Sequence, residues 1–145
     1  MKAKHFFATF AAAAVLVSCS KDREDYADDV CALVNESAEL VLNCHTFEDS
    51  FEVADKVHAI ADELDALEED AEKHIVELRE AALDMTVAET KIYDEQIMNK
   101  FKAAKDHLNR AEEHMDKKDS KIDTDYLDYA IKRVKKHIPY IVEMP

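Results

Sequence analysis

The chain has 145 residues, no glycine, two prolines and a formal net charge of -14 at pH 7. Phosphate-binding loops and dinucleotide fingerprints need glycine where the backbone approaches the ligand, and the favoured hairpin turns use it too. The composition therefore excludes these nucleotide-binding enzymes and disfavours a β-rich fold, and the negative charge disfavours nucleic acid as a partner.

The N-terminal residues have the organisation of an export signal. Lys2, Lys4 and His5 make the start cationic, and residues 6–17 are apolar except for Thr9. An apolar run of about 12 residues is too short to cross a bilayer, which needs about 20 in a helix. Removal of this segment takes two lysines away and leaves a mature chain with a charge of about -16.

Residues 16–19, Leu-Val-Ser-Cys, follow this pattern directly. They resemble the lipobox of bacterial lipoproteins with a type II signal peptide, in which a diacylglycerol thioether is built on the cysteine before cleavage. The resemblance implies cleavage between Ser18 and Cys19, lipidation of Cys19, and a location in the bacterial cell envelope at the outer membrane. Residues 20–25 resemble the surface-export signal of Bacteroidota lipoproteins, which implies exposure at the cell surface.

This resemblance covers about the first 25 residues and identifies no family for the mature domain. The predicted organisation is a signal peptide at residues 1–18, a lipidated cysteine with a short tether at 19–25, and one helical domain at 26–145. A tether of this length reaches at most about 20 Å, so the domain is expected close to the membrane.

Apolar residues at helical spacing predict the first two helices of that domain. Thr46 followed by Asp49 resembles a capping box and opens the second and longest helix, whose apolar seam is interrupted at Glu68. We expect a kink, a local opening or a polar register marker in residues 68–70. The stripe of the first helix, residues 25–44, contains Tyr26, Val30, Leu33, Val34, Ser37, Leu40, Val41 and Cys44. The seam of the second contains Val57, Ala61, Leu64, Ala71, Ile75, Leu78, Ala82 and Met85.

Two further helices are predicted after a change of face between residues 84 and 90. Thr86 with Glu89 three residues later favours a turn and a new cap over one continuous helix with a stutter. Asp123 or Thr124 caps the last helix, and Pro139 ends it. The third stripe contains Ile97, Phe101, Ala104, Leu108, Ala111 and Met115, and the last contains Leu127, Ala130, Ile131, Val134 and Ile138. The predicted fold is all-α: an elongated antiparallel bundle of about four helices with a long central hairpin and coiled-coil-like packing.

Cys31 and Cys44 remain once Cys19 is assigned to lipid. On one continuous helix their Cα atoms would be about 20 Å apart, whereas a disulfide needs about 4.4 to 6.8 Å. We therefore expect free thiols, with Cys44 packed in the core.

The sequence offers no strong metal or catalytic pattern. Di-iron bundles need a repeated Glu-x-x-His motif, whereas the nearest approach here is a single Asp55-x-x-His58. His107 and His114 share a face but lie about 10.5 Å apart along the axis, so we expect half-covered boundary residues. Four aspartates in residues 119–128 are explained by helix capping, with weak calcium binding as the alternative. We expect no cofactor, no metal and no enzymatic activity.

The charge run at the interrupted seam is the candidate site for a macromolecular partner. The predicted partner face contains Asp65, Glu68, Glu69, Asp70 and Glu72; the alternative is a solvated face. The four basic residues in the stretch 132–136 are expected to compensate the dipole at a helix end. The alternatives are that they contact membrane headgroups or the acidic face of the same molecule. The leading hypothesis is a lipid-anchored, non-enzymatic binding or spacer module of the cell envelope; its partner is left open, with an envelope protein as the candidate. The alternative is an acidic antagonist or immunity-type lipoprotein that blocks a basic toxin or hydrolase. The oligomeric state is left open.

Overall fold

The computed structural model describes residues 22–117, residue 122 and residues 124–138. Within these residues the protein is an all-α bundle, as the composition predicted, and it has five helices where about four were expected. The predictions for residues 16–19 and 139–145 fall outside this part of the chain. The helices are α1 (Arg23–Leu42), α2 (Phe47–Lys73), α3 (Ile75–Leu83), α4 (Val87–Met115) and α5 (Asp125–Lys135).

Three helices begin at caps that the sequence predicted. The side chains of Thr46, Thr86 and Thr124 each accept a hydrogen bond from the backbone N–H three residues later. Each bond satisfies one of the free N–H groups of a helix start and contributes about 1 kcal/mol. These caps explain why α2, α4 and α5 begin where they do.

The first helix starts slightly earlier than predicted. Asp22 and Asp25 form a reciprocal capping box, with distances of 2.8 and 3.2 Å between backbone nitrogens and carboxylate oxygens. The helix therefore begins at Arg23, inside the segment assigned to the tether. Only three peptide units separate the cap residue Asp22 from Cys19.

The predicted stripes form one hydrophobic core. Every residue of the stripes predicted for α4 and α5 is buried, and so is every residue of the α1 stripe except Leu40, which is half-buried. The seam of α2 is buried as far as Ala71. Beyond that point only Leu78 is fully buried, whereas Ile75, Ala82 and Met85 are half-buried. The core therefore thins out along α3.

The directions of the helices follow from their ion pairs and hydrogen bonds. Arg23 of α1 pairs with Asp94 of α4 at 3.0 Å, and Glu39 pairs with His107 at 2.8 Å further along both helices. α1 and α4 therefore run parallel. α5 runs parallel to α2, as two hydrogen bonds in register show: Tyr126 to Asp55, and Arg133 to Asp62.

Consecutive long helices are antiparallel. The hydroxyl of Tyr26, near the start of α1, donates to a carboxylate oxygen of Asp70 near the end of α2, at 2.6 Å. The sequence placed the two long helices against each other as a spine, whereas the extensive packing joins α1 to α4, α2 to α5 and α1 to α2. α1 takes the central place because its wide stripe buries residues against both long helices.

The break in the long second helix lies at His74, and not at residues 68–70. His74 has φ -104° and ψ 12°, and its Nδ1 donates a hydrogen bond of 2.8 Å to the carbonyl of Asp70. This side chain satisfies a carbonyl that the continued α-helix would have used. The helix therefore divides into α2 and α3 one turn after the predicted position.

α3 and the first turns of α4 form an overhang, which we define as residues 75–92. Arg23, the first residue of α1, is level with Asp94, so the seven residues of α4 before Asp94 extend about 10 Å beyond the start of α1. Large apolar side chains remain exposed there: Val76, Leu83, Val87 and Ile92. In the described part of the chain, no helix combines the length and the hydropathy that crossing a membrane requires.

Both cysteines of the described residues are free thiols, as predicted, and Cys44 is buried in the core as expected. Cys31, which was not assigned to the core, is buried too. Burial, reinforced by the nearby charge of Asp28, raises the pKa of Cys31 to about 11. Burial also raises the pKa of Cys44. Both thiols are therefore largely protonated at neutral pH, which suits packing and disfavours nucleophilic chemistry.

We expect Cys31 to be alkylated by iodoacetamide about two orders of magnitude more slowly than an exposed thiol at a pH of about 8, because only the thiolate reacts. An Ala32→Cys variant provides the matched control, since Ala32 is the exposed neighbour on the same helix. The measurement is peptide mass spectrometry over time, without and with urea. Equal native rates at positions 31 and 32 would show that Cys31 is accessible.

Candidate functional site: the acidic face of the second helix

The five acidic residues of the predicted partner face lie in the last three turns of α2, and the structure divides them into two groups. Asp65 and Glu68 face α5 and contact its cationic end. The other three, Glu69, Asp70 and Glu72, lie outside that contact.

Asp65 is the centre of the contact with α5. Its carboxylate lies 3.0 Å from the Arg133 guanidinium, 3.3 Å from the Lys136 ammonium and 2.8 Å from Nε2 of His137. Three cationic or cation-forming groups therefore converge on one half-buried carboxylate. The basic end of α5 contacts the acidic face of the same molecule, which was one of the alternatives left open by the sequence.

Glu68 interrupts the apolar seam because it faces a buried histidine. Its Oε2 lies 2.6 Å from Nδ1 of His137, whose side chain is 1% exposed. Neither ring nitrogen of His137 has hydrogen-bond geometry towards a described residue, although two carboxylates lie within ion-pair distance. Ion pairing is less directional than hydrogen bonding, so these short distances are sufficient for an electrostatic contact. The contact attracts electrostatically when the imidazole is protonated, and it fixes the axial position of α5 on α2.

The remaining acids of the predicted face have local roles. Glu69 pairs with Lys73 one turn later at 2.8 Å. Asp70 accepts the hydrogen bond from Tyr26 that joins α1 to α2. Glu72 is exposed on the same stretch. Only part of the predicted face is therefore open to another molecule.

The cluster of Asp65, Glu68 and His137 also has donor atoms of the kinds that bind zinc, all within 4.8 Å of one another. Asp65 is already contacted by Arg133 and Lys136, however, and the guanidinium keeps its proton in proteins. Two positive charges beside the ligands oppose a divalent cation. The chemistry of the cluster therefore fits an ion-pair network better than a metal centre.

The network changes the acidity of Asp65. Burial acts to raise the pKa of this carboxyl, but the hydrogen bonds from Arg133 and Lys136, together with the charges of Lys136 and His137, outweigh burial and lower the pKa. A carboxyl with a lowered pKa in the folded state stabilises the fold above its unfolded pKa of about 4 and loses that contribution as the pH falls further.

Acid titration of an Asp65→Asn variant tests this contribution. We expect the free energy of unfolding of the wild type to fall more steeply than that of the variant below a pH of about 4. The difference between the proteins is the informative quantity, because burial raises the pKa of Glu36 and Glu63 and their protonation acts in the opposite direction. Urea midpoints followed by circular dichroism provide the measurement. Parallel profiles would contradict the lowered pKa.

Arg133 also connects the network to a group of aromatic rings. Its Nη1 lies 3.1 Å from Nδ1 of His58, which therefore accepts the hydrogen bond. The His58 ring lies 4.9 Å from the ring of Tyr126 and 5.6 Å from that of Tyr129. Both tyrosines are exposed, so the network ends at a surface that sequence reasoning did not identify.

These rings continue along the first turns of α2. Phe47 and Phe51 are exposed and contact each other edge to face at 5.1 Å. One turn after Phe51 on α2 lies Asp55, which accepts a hydrogen bond from Tyr126. We call the surface formed by Phe47, Phe51, His58, Tyr126 and Tyr129 the aromatic stripe. Phe47, Phe51 and His58 recur at helical spacing on α2, so the sequence contained a signal for this surface. The sequence analysis did not identify it because these rings do not belong to the apolar seam of that helix.

The overhang provides a second surface that sequence reasoning missed. An open groove of about 760 Å³ begins at the overhang and continues along α4, lined in part by Met85, Val87 and Met98 and by the acidic Asp94 and Glu95. The sequence also contained a signal for this surface, because Leu83 and Val87 are large apolar residues that do not belong to either neighbouring stripe.

The other candidate ligands occupy structural positions. His107 is half-buried between Glu39 and Asn35, and His114 donates from Nε2 to the carbonyl of Cys44 at 2.9 Å. Of the aspartates considered for calcium, Asp128 pairs with Lys132 at 2.7 Å, and positions 119 and 123 lie outside the described residues.

Compared with the models of known families, with curated proteins and with solved structures, the chain matches none of them.

Proposed function

We propose that this protein is a non-enzymatic binding module of the bacterial cell envelope, held at the outer membrane by lipid on Cys19. The resemblance of residues 16–19 to a lipobox supports the anchor. Because α1 begins at Arg23, a lipid on Cys19 would hold the folded domain close to the membrane. The elongated helical bundle would then carry a binding surface away from the anchor.

The aromatic stripe is the observation that carries the binding role. It lies at the start of α2 and along α5, whereas the chain enters the bundle at the opposite end, where Tyr26 meets Asp70. Aromatic side chains beside an arginine are the residue types most enriched in the energetically dominant parts of protein interfaces. A monomer gains nothing from leaving them in water, since aromatic rings contribute most when buried. The partner is expected to be an envelope protein that meets the domain from its outer end.

Crosslinking in intact cells tests this role. We expect a photocrosslinking residue at position 129 to capture an envelope protein, and a Phe47→Ala substitution in the same chain to reduce that capture. A photocrosslinking residue at Glu113, which is exposed on α4, provides the matched control. Capture at both positions alike would remove the aromatic stripe from the proposal, and capture at neither would leave the spacer role alone. Protease shaving of the cells in the same experiment tests whether the domain faces outward.

The alternative is an acidic antagonist of a basic toxin or hydrolase. Asp65 and Glu68 support it weakly, because a basic partner would have to compete with Arg133 and His137 for them. Glu69 is exposed and pairs with Lys73 on its own helix. Charge reversal at Glu68, Glu69 and Asp70 should abolish protection in an antagonist, and unchanged protection would remove this alternative.

A further inference from the structure

The overhang is placed beside the point where the anchor enters the fold. Arg23 pairs with Asp94 at 3.0 Å and lies over the ring of Tyr93 at 5.6 Å. The backbone N–H of Glu24 donates to the hydroxyl of Tyr93 at 2.7 Å. Lys100 adds an ion pair to Glu24 at 2.8 Å. These contacts fix the start of α1 on α4 immediately behind the overhang.

The reach of the tether matches the length of the overhang. Cys19 is three residues before Asp22, so its Cα lies within about 11 Å of the cap residue. Val87 is seven residues before Asp94, which places it about 10 Å beyond the start of α1 along the helix axis. A bilayer that receives acyl chains from Cys19 is therefore within reach of the end of the overhang.

The end of the overhang is its most exposed apolar part. Leu83 and Val87 are 83% and 89% exposed, and they flank the turn between α3 and α4. Met85 lies within that turn and lines the groove. We call these three residues the apolar tip. No described residue covers Leu83 or Val87, although side chains of this size gain about 1.5 to 3 kcal/mol each when fully buried.

We propose that the apolar tip inserts into the interfacial region of the same membrane that holds the lipid anchor, and so forms a second membrane contact. This proposal rests on the proposed lipid anchor. An acyl chain and a shallow apolar insertion act together, as in other peripheral proteins that need two signals for stable binding. The contact would fix the orientation of the bundle and direct the aromatic stripe away from the bilayer.

The charge of the overhang identifies the kind of lipid surface. Residues 75–92 carry four carboxylates against one arginine and one lysine. Anionic headgroups would be repelled, whereas a zwitterionic headgroup presents an ammonium to the carboxylates around the tip. We therefore expect insertion into phosphatidylcholine or phosphatidylethanolamine surfaces, weakened by anionic lipid.

Tryptophan fluorescence provides the test, because the chain contains no tryptophan and every signal comes from the introduced residue. Leu83→Trp and Val87→Trp place probes at the tip, where both residues are exposed and substitution leaves the core intact. Glu113→Trp is the matched control on α4, about 39 Å from position 87 along the same helix. Each acylated protein is purified from bacterial membranes and reconstituted into phosphatidylcholine vesicles that contain a spin-labelled phosphatidylcholine.

We expect both tip probes to shift to shorter wavelength and to be quenched by the spin label, with Glu113→Trp unchanged, and we expect added phosphatidylglycerol to reduce the quenching. Tip probes that behave like Glu113→Trp in acylated, vesicle-bound protein would overturn the second contact while the anchor stands. A preparation without acyl chains would overturn the anchor itself. A blue shift that needs no vesicles and grows with protein concentration would assign the tip to a second copy and overturn the membrane contact.

Discussion

A Phe101→Ala variant is expected to lose about 3 to 5 kcal/mol of unfolding free energy, which is the usual cost of removing a fully buried phenylalanine. Phe101 is 2% exposed and lies in the stripe of α4 that packs against α1. The truncation removes apolar contacts and leaves a cavity that the packed helices close only in part. Small domains have about 5 to 15 kcal/mol in total, so the variant should remain folded but be close to its limit.

Met98→Ala provides the control for this variant. Met98 lies three residues earlier on the same helix and is 49% exposed, at the groove of the overhang. Its truncation is expected to change stability by less than about 0.5 kcal/mol. Urea unfolding followed by circular dichroism measures both, with Phe101→Leu as a milder variant of the core position. Similar losses for Phe101→Ala and Met98→Ala would contradict the placement of α4 against α1.

The helices themselves could be predicted from local signals. Thr46, Thr86 and Thr124 cap helices at positions that the sequence indicated, because a cap depends only on residues within one turn. The buried stripes could be predicted for the same reason, since three and four residue spacing places apolar residues on one face. The break at His74 could not, because it depends on a histidine that bonds the carbonyl of Asp70 in place of a backbone group.

Which helices pack against each other is decided by contacts between residues that are far apart in the sequence. The stripe of α1 is wide enough to contact two neighbours, and nothing local in the sequence states which two. His137 directly follows the basic stretch that was expected to compensate a helix dipole, yet it lies buried against Glu68. Glu68 was recognised as an interruption of the seam, but its partner is about 70 residues away in the chain. Contacts of this kind appear only when two helices are placed together.

An Arg133→Met variant is expected to lose about 1 to 2 kcal/mol of unfolding free energy. Arg133 is mostly covered and contacts Asp62, Asp65 and His58 at once. Hydrogen bonds between charged groups contribute about 1.5 to 3 kcal/mol when buried, and the exposure of Asp62 reduces this. Methionine keeps the apolar stem in place, so the loss reports mainly the polar contacts.

Two further variants isolate the contribution of Arg133. Lys132→Met removes a neighbouring exposed cation that pairs only within α5 among the described contacts, and it should leave stability nearly unchanged. Arg133→Met should also cost less in an Asp65→Asn background, because the two residues are directly coupled. Urea midpoints of the wild type, the two single variants Arg133→Met and Asp65→Asn, and the double variant complete this double-mutant cycle. A loss for Arg133→Met that is the same in both backgrounds would show that Asp65 and Arg133 do not interact energetically.

Incorporation of a labelled fatty acid is the most direct test of the proposed lipid anchor. Bacteria that produce the full chain are grown with labelled palmitate, beside bacteria that produce a Cys19→Ala variant, and the proteins are recovered from membrane and soluble fractions. We predict label and membrane recovery for the parent chain and neither for the variant. Equal label in both proteins, or an unlabelled parent chain in the soluble fraction with residues 1–18 still attached, would contradict the proposal.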